Sequence, residues 1–269
     1  MHRFNHRVLC TIAGFDPTGS AGWGVDLAVF EALGCRGRAV VTADTEQGPA
    51  GVLAVEPKKP ASVARELGRV LAEDDPAALK TGMLATAGIV DAVAAALAAA
   101  APRPLVVDPV LAAGAGGDLL EAAAIPTLAA RLGPHATLLT PNRPEAARLL
   151  GLEAIDDAET AAQALRAAGW AAVLLKDGHG TGPDVVEVLA TAAGTVRYRR
   201  PRLPGGNVRG TGCALASAIA GGLAWGASLP EAVERAGDWL HRLIAEAHGA
   251  GRPTLDPRAV RLPPWQPPS

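Results

Sequence analysis

Apolar and polar positions alternate in a regular order along the chain. Short apolar runs stop at turn formers, and longer amphipathic or alanine-rich runs follow them. Val8–Ala13 reads as a buried strand that stops at Gly14, and the loop Asp16-Pro-Thr-Gly-Ser-Ala-Gly22 leads into a helix over Val25–Leu33. Further strands are predicted over Arg38–Ala43, Ala78–Thr81, Leu105–Val107, Ala136–Thr140 and Ala171–Lys176. Helices are predicted over Ala61–Ala72, Ala87–Ala101, Pro144–Leu150 and Asp157–Ala168. Val185–Ala190 and Thr195–Arg200 read as an antiparallel pair around Ala193-Gly194, and two long helices close the pattern at Thr211–Trp225 and Leu229–Ala247. Strands alternating with helices predict a mainly parallel sheet covered on both faces, with an antiparallel edge. The expected architecture is one three-layer α/β/α domain over residues 1–248 and an extended proline-rich tail over 249–269. Ligands are expected at the carboxyl ends of the strands.

Composition narrows the function classes. The 269 residues are 49% hydrophobic, 19% charged and 3% aromatic, with a net charge of -2. High apolar content at low net charge excludes a disordered chain. A pI near 6.3 with no basic block excludes a dedicated nucleic-acid binder. Three scattered cysteines, Cys10, Cys35 and Cys213, form neither a disulfide framework nor a zinc pattern, so a reducing cytoplasm is expected. Gly210–Pro230 carries no charge over a length that could span a bilayer, but its Ala, Gly, Ser and Thr predict a buried helix and no membrane association. The chain holds 58 alanines and 21 arginines but only four lysines, so a lysine inside a motif draws attention.

Several predicted strand ends carry polar groups that would converge on one crevice. Asp108 follows Leu-Val-Val, Asn142 and Glu145 follow Leu-Leu-Thr-Pro, and Lys176 follows Val-Leu-Leu. Each could instead cap the next helix, Glu145 most simply. Gly210-Thr-Gly-Cys213 opens a long helix after Gly205-Gly206-Asn207, the pattern of an anion cradle suited to a phosphoryl group. A thiol in such a first turn is expected to have a lowered pKa. Neither a Walker A pattern nor a strand-linked GxGxxG is present.

Six ordered motifs carry a resemblance. They are Thr11-Ile-Ala-Gly-Phe-Asp-Pro-Thr-Gly-Ser-Ala-Gly22, Lys80-Thr-Gly-Met-Leu84, Val106-Val-Asp-Pro-Val110, Leu139-Thr-Pro-Asn-Arg-Pro-Glu-Ala146, Leu175-Lys-Asp-Gly-His179 and Arg209-Gly-Thr-Gly-Cys-Ala-Leu215. Together they resemble the hydroxymethylpyrimidine/phosphomethylpyrimidine kinases of the ribokinase-like fold, over roughly Val8 to Ala247. The resemblance implies ATP-dependent phosphorylation of a pyrimidine hydroxymethyl group and then of its monophosphate, for thiamine biosynthesis. It implies Cys213 as general base and Gly210, Thr211, Gly212 and Cys213 as the anion hole. ATP would meet Lys176, Asn142, Gly178 and Thr211. Mg²⁺ would be organised by Asp108, Asn142 and Glu145 through water. The pyrimidine would be held by Ala21, Asp26, Gln47 and Met83, and Trp23 would either pack on the ring or fill a gap. A homodimer is also implied.

The substrate rim departs from the family pattern. Gly19-Ser-Ala-Gly-Trp-Gly-Val-Asp26 replaces Gly-Gly-Ala-Gly-Ile-Gln-Ala-Asp, and Thr42-Ala-Asp-Thr-Glu-Gln-Gly48 adds Asp44 and Glu46. Gly114-Ala115 stands where Lys-Ser or Thr-Ser is common, and Asn207-Val208-Arg209 replaces Asn-Thr-His. These changes leave open a pyridoxal-type or otherwise specialised heterocycle kinase. A non-catalytic ligand-binding protein is a third reading, which the intact Lys176, Asn142, Glu145 and Cys213 oppose.

Overall fold

A computed structural model describes residues 7–48, 51–113, 116–177, 180, 182–205, 208–261 and 265. Gly114, Ala115, Gly178, His179, Gly206 and Asn207, all named above, lie outside the described residues. The strands are β1 (Val8–Phe15), β2 (Arg36–Gly48), β3 (Gly51–Pro57), β4 (Ala78–Thr81), β5 (Leu105–Val107), β6 (Leu138–Leu139), β7 (Val173–Leu175), β8 (Asp184–Thr191) and β9 (Gly194–Pro201). The helices are α1 (Gly22–Ala32), α2 (Pro60–Glu73), α3 (Ala87–Ala98), α4 (Ile125–Leu132), α5 (Arg143–Leu150), α6 (Ala158–Ala167), α7 (Thr211–Ala224) and α8 (Leu229–Gly249).

One sheet has the order β3-β2-β1-β4-β5-β6-β7-β8-β9. Strands β2, β1, β4, β5, β6 and β7 pair in parallel, while β3 and the β8–β9 pair run antiparallel to their neighbours. The expected antiparallel edge therefore exists, and the opposite edge carries a second one. The β2–β3 hairpin did not stand out in the sequence. Its polar run Asp44-Thr-Glu-Gln lacks a clean apolar alternation, and Leu53 on β3 is 80% exposed. Helix α4 was likewise unanticipated; Pro126 sits in its first turn, where a missing N–H costs nothing.

The pleat sends successive residues to opposite cores. Cys10 and Ile12 of β1 face the layer of α2 to α6, where Val63, Leu67, Ile89, Val93 and Leu165 pack. Leu9 faces the layer of α1, α7 and α8, with Val29, Phe30, Ile219 and Trp239. Cys10 is thus a packed thiol, and burial pushes it up to about 12.

The uncharged run at Gly210–Pro230 becomes α7, which is buried over most of its length. A Cβ on Gly221 would overlap Leu33 at the C-terminal end of α1, and one on Gly222 would meet the Trp265 ring at 2.7 Å, so these glycines allow close approach. Among the described residues no helix is long and apolar enough to cross a membrane. The segment after Gly249 does not run free as expected. Its backbone bridges Thr254 to Arg209, its Val260 carbonyl accepts from Trp239 Nε1 at 2.8 Å, and Trp265 is only 5% exposed. Burial of apolar side chains outweighs the chain entropy that would favour a loose tail.

Candidate active site

The parallel strands end on one side, and their last residues build the site. Asp108 follows β5, Thr140 follows β6 and Lys176 follows β7. Lys176 Nζ donates to Asp108 Oδ1 at 2.8 Å, and Thr140 Oγ1 donates to the same oxygen at 3.0 Å. Lys176 and Asn142 pair through a backbone bridge, with Lys176 N donating to the Pro141 carbonyl at 2.8 Å. The convergence expected from the strand ends is therefore present.

Burial opposes the charge on Asp108, but Lys176 and Lys80, with the bonds from Lys176 and Thr140, outweigh it and hold the carboxyl below its ordinary value. Lys176 also pays for burial, and Asp108 and Glu145 more than compensate, so its ammonium persists. Glu145 is different. Burial pushes its carboxyl up to about 7, with Lys176 pulling down and Asp108 pushing up. A carboxyl whose folded-state pKa is raised takes up protons on folding, so stability falls as pH rises from about 4.5 to about 7. Glu145→Gln is therefore expected to raise the unfolding midpoint in urea at pH 8 and to change it little at pH 4.5. A lower midpoint at pH 8 would contradict this.

Asn142 and Glu145 also form a capping box at the start of α5. Asn142 Oδ1 accepts from Glu145 N and Glu145 Oε2 accepts from Asn142 N, both at 2.8 Å. The capping alternative for Glu145 is thus realised. The cap uses one of the two lone pairs of Asn142 Oδ1, and the amide nitrogen of the same side chain can only donate. The nitrogen suits a phosphate oxygen, and the second lone pair of Oδ1 can accept from a metal-bound water. Among the described residues no group of three or more His, Cys, Asp or Glu could hold a metal directly. Asp108 and Glu145 are carboxylate donors close enough to interact, the chemistry a hard divalent cation takes through its waters.

The anion cradle lies beside them. Gly210 has φ +87°, and a Cβ there would overlap the Ser20 carbonyl, so the turn into α7 requires glycine. No side chain caps α7 at Gly210, which leaves its first-turn N–H groups for a ligand. A Cβ on Gly212 would stand 3.2 Å from Lys176 Nζ and 3.8 Å from Asp108 Oδ2. The lysine thus reaches over the same first turn that holds Thr211 and Cys213, adding full charge to the helix dipole.

A partly open cavity adjoins this turn. Ala21, Gln47, Met83 and Cys213 line it, together with Phe15 and Lys80. Two expected wall residues are absent from it. Asp26 is fully buried behind the cavity, where Lys80 Nζ, Thr11 Oγ1 and Ser217 Oγ occupy its carboxylate. Trp23 stacks on Phe15 with ring centroids 5.6 Å apart, and Phe15 lines the cavity in its place. The expected low thiol pKa is also overturned. Burial pushes Cys213 up to about 11 against the pull of Lys80, while Asp26 and Asp108 add to the rise. Helix-terminus potential does not offset loss of water around the thiolate. Lys80 and Phe15 are the wall residues that sequence reasoning missed. The signal for Lys80 was its rarity: it is one of four lysines and sits in β4, which carries the second motif and pairs with β1.

A crevice at the carboxyl ends of a doubly covered sheet, with a lysine over a glycine cradle and a cavity beside the same turn, defines a small-molecule phosphotransferase. Comparison with known proteins gives the family. The chain belongs to the phosphomethylpyrimidine kinase family, whose model matches residues 16–256. It is 42% identical over 240 residues to the hydroxymethylpyrimidine/phosphomethylpyrimidine kinase of Salmonella typhimurium, covering 88% of this chain and 90% of that protein. It is 41% identical over 244 residues to the thiamine biosynthesis bifunctional protein ThiED of Geobacter sulfurreducens, covering 90% of this chain but half of that longer protein. Among solved structures, the phosphomethylpyrimidine kinase of Clostridium difficile aligns with a TM-score of 0.77 at 33% identity, over 88% of this chain and 99% of that one. The ADP complex of Staphylococcus aureus pyridoxal kinase aligns with a TM-score of 0.81 at 27% identity, over 89% and 88%.

Proposed function

We propose that the chain transfers the terminal phosphoryl group of ATP to the hydroxymethyl group of an aminopyrimidine, and then phosphorylates the resulting monophosphate. The observation that carries this reading is the placement of Cys213. Its thiol lines the cavity where an alcohol would sit and belongs to the first turn of the cradle where the moving phosphoryl group would sit. Cys213 takes the hydroxyl proton as the new O–P bond forms and the bond to the leaving ADP breaks. The N–H groups of Gly210, Thr211, Gly212 and Cys213 hold the charge on the phosphoryl oxygens, and Lys176 neutralises the leaving side. Asn142 donates to a phosphate oxygen. Mg²⁺, when bound through water to Asp108, Asn142 and Glu145, would supply further charge neutralisation on the phosphates. Gln47 offers both a donor and an acceptor, which match a ring nitrogen and its neighbouring amine. Met83 and Phe15 supply apolar walls, and the Ala21 backbone closes the site. The same reading takes a cytoplasmic homodimer.

The pyridoxal-type alternative draws on one observation, the altered rim on a fold shared with pyridoxal kinases. The added acid is partly answered in place, because Lys58 forms an ion pair with Asp44. Release of ADP, coupled to a reporter, is expected with the hydroxymethylpyrimidine and with its monophosphate. A preference for pyridoxal above about tenfold in kcat/KM, roughly 1.4 kcal/mol, would overturn the pyrimidine assignment.

A further inference from the structure

A buried ion pair beneath the cavity has no task in phosphoryl transfer as set out above. Lys80 and Asp26 are both fully excluded from solvent, and Lys80 Nζ lies 2.9 and 2.8 Å from the two Asp26 oxygens. Asp26 also accepts from Thr11 Oγ1 at 2.6 Å and from Ser217 Oγ at 2.8 Å. The carboxylate is therefore saturated with donors. Lys80 spends two of its three N–H groups on Asp26, and the third has no partner among the described residues. It is Lys80, not Asp26, that shares the cavity wall with Cys213.

Position on α7 makes the link specific. Ser217 lies one helical turn beyond Cys213 on the same face, so its bond to Asp26 sets Cys213 beside the pair. A Cβ on Gly82 would come within 3.0 Å of Lys80 Nζ, so the strand end is kept bare where the ammonium sits. Stability is a weak reason to keep such a pair, because apolar replacements of similar volume hold a core as well or better.

We propose that Lys80, anchored by Asp26, is the positioning cation that carries the negative charge of Cys213 while the substrate hydroxyl loses its proton. This rests on Cys213 being the base. The charged groups facing the thiol are Lys80 at the end of β4, Asp26 on α1, Asp108 after β5 and Lys176 after β7. Lys80 is the largest favourable charge, and the two acids oppose it. Asp26 therefore both holds Lys80 and blunts it.

The test is the pH dependence of iodoacetamide alkylation at Cys213 in the full chain, read by mass on its own peptide so that Cys10 and Cys35 do not contribute. Asp26→Asn keeps a side chain of the same shape and exposes the field of Lys80, so alkylation at pH 7.5 is expected to be about tenfold faster, a shift of about one pH unit. The double variant Lys80→Met with Asp26→Asn removes both charges, and its alkylation is expected to be several-fold slower than that of the unsubstituted chain. Opposite signs are the result a purely structural role would not produce. Rates within twofold of the unsubstituted chain in both variants, or both displaced in one direction, would overturn the proposal. Circular dichroism and a cooperative melt check folding. If Asp26→Asn does not fold, the double variant decides alone, and alkylation equal to or faster than the unsubstituted chain overturns it. Full turnover by Cys213→Ala would defeat the base assignment separately and leave the alkylation result standing.

Discussion

Cys213→Ala is expected to lower kcat for the pyrimidine alcohol by about 10²–10⁴-fold, the usual worth of a positioned general base. The KM for ATP is expected to change little. The substitution removes only the sulfur, while the Cα, the backbone N–H and the turn around Gly210 stay in place, so the anion cradle survives. An equal loss in ATP binding would mean that the cradle itself had collapsed. The pH profile gives an independent check. With the Cys213 thiol pushed up to about 11 by burial, only the small ionised fraction can accept a proton at neutral pH. That fraction rises about tenfold per pH unit below the pKa. The kcat/KM of the unsubstituted enzyme is therefore expected to climb from pH 6 through pH 9 without an early plateau, and the residual activity of Cys213→Ala to lack that slope. A plateau reached by pH 7 would show that a different group takes the proton.

The second large effect is on stability. Lys80→Met strands Asp26 as an uncompensated charge in a fully buried site, and breaking one side of such a pair costs about 3–5 kcal/mol. For a protein of this size that is a fall in Tm of roughly 6–20 °C. The double variant Lys80→Met with Asp26→Asn removes both charges of the pair and is expected to recover most of the loss. A double-mutant cycle of thermal melts measures the difference. Simple addition of the two single losses would show that the side chains act independently, against the geometry.

Most of the scaffold was legible because burial on both sheet faces leaves dense apolar runs at the parallel strands. Ala78–Thr81 and Leu105–Val107 match their predicted bounds. The β2–β3 hairpin was not legible, because its inner face is a mix of Thr, Gln and Val that covers a site instead of a core. Helix α4 was hidden for another reason: alanines before Pro126 fit a helix and a loop equally well. At the site, Asp108, Asn142, Glu145 and Lys176 could be read from strand ends, since topology alone brings successive carboxyl ends together.

The amino-acid order by itself determined the alternating α/β scaffold, the strand-end polar groups and the glycine turn before Cys213, all of which depend on local periodicity and backbone freedom. Only the tertiary structure decided which way charges and rings point. Asp26 is 54 residues from Lys80 and 191 from Ser217, yet all three meet at one carboxylate behind the cavity. Trp23 turns to Phe15, and the thiol of Cys213 rises in place of falling. The physical reason is the same in each case. Desolvation and ion pairing are sums over whatever the fold packs around a group, and that surrounding is made of residues distant in the chain.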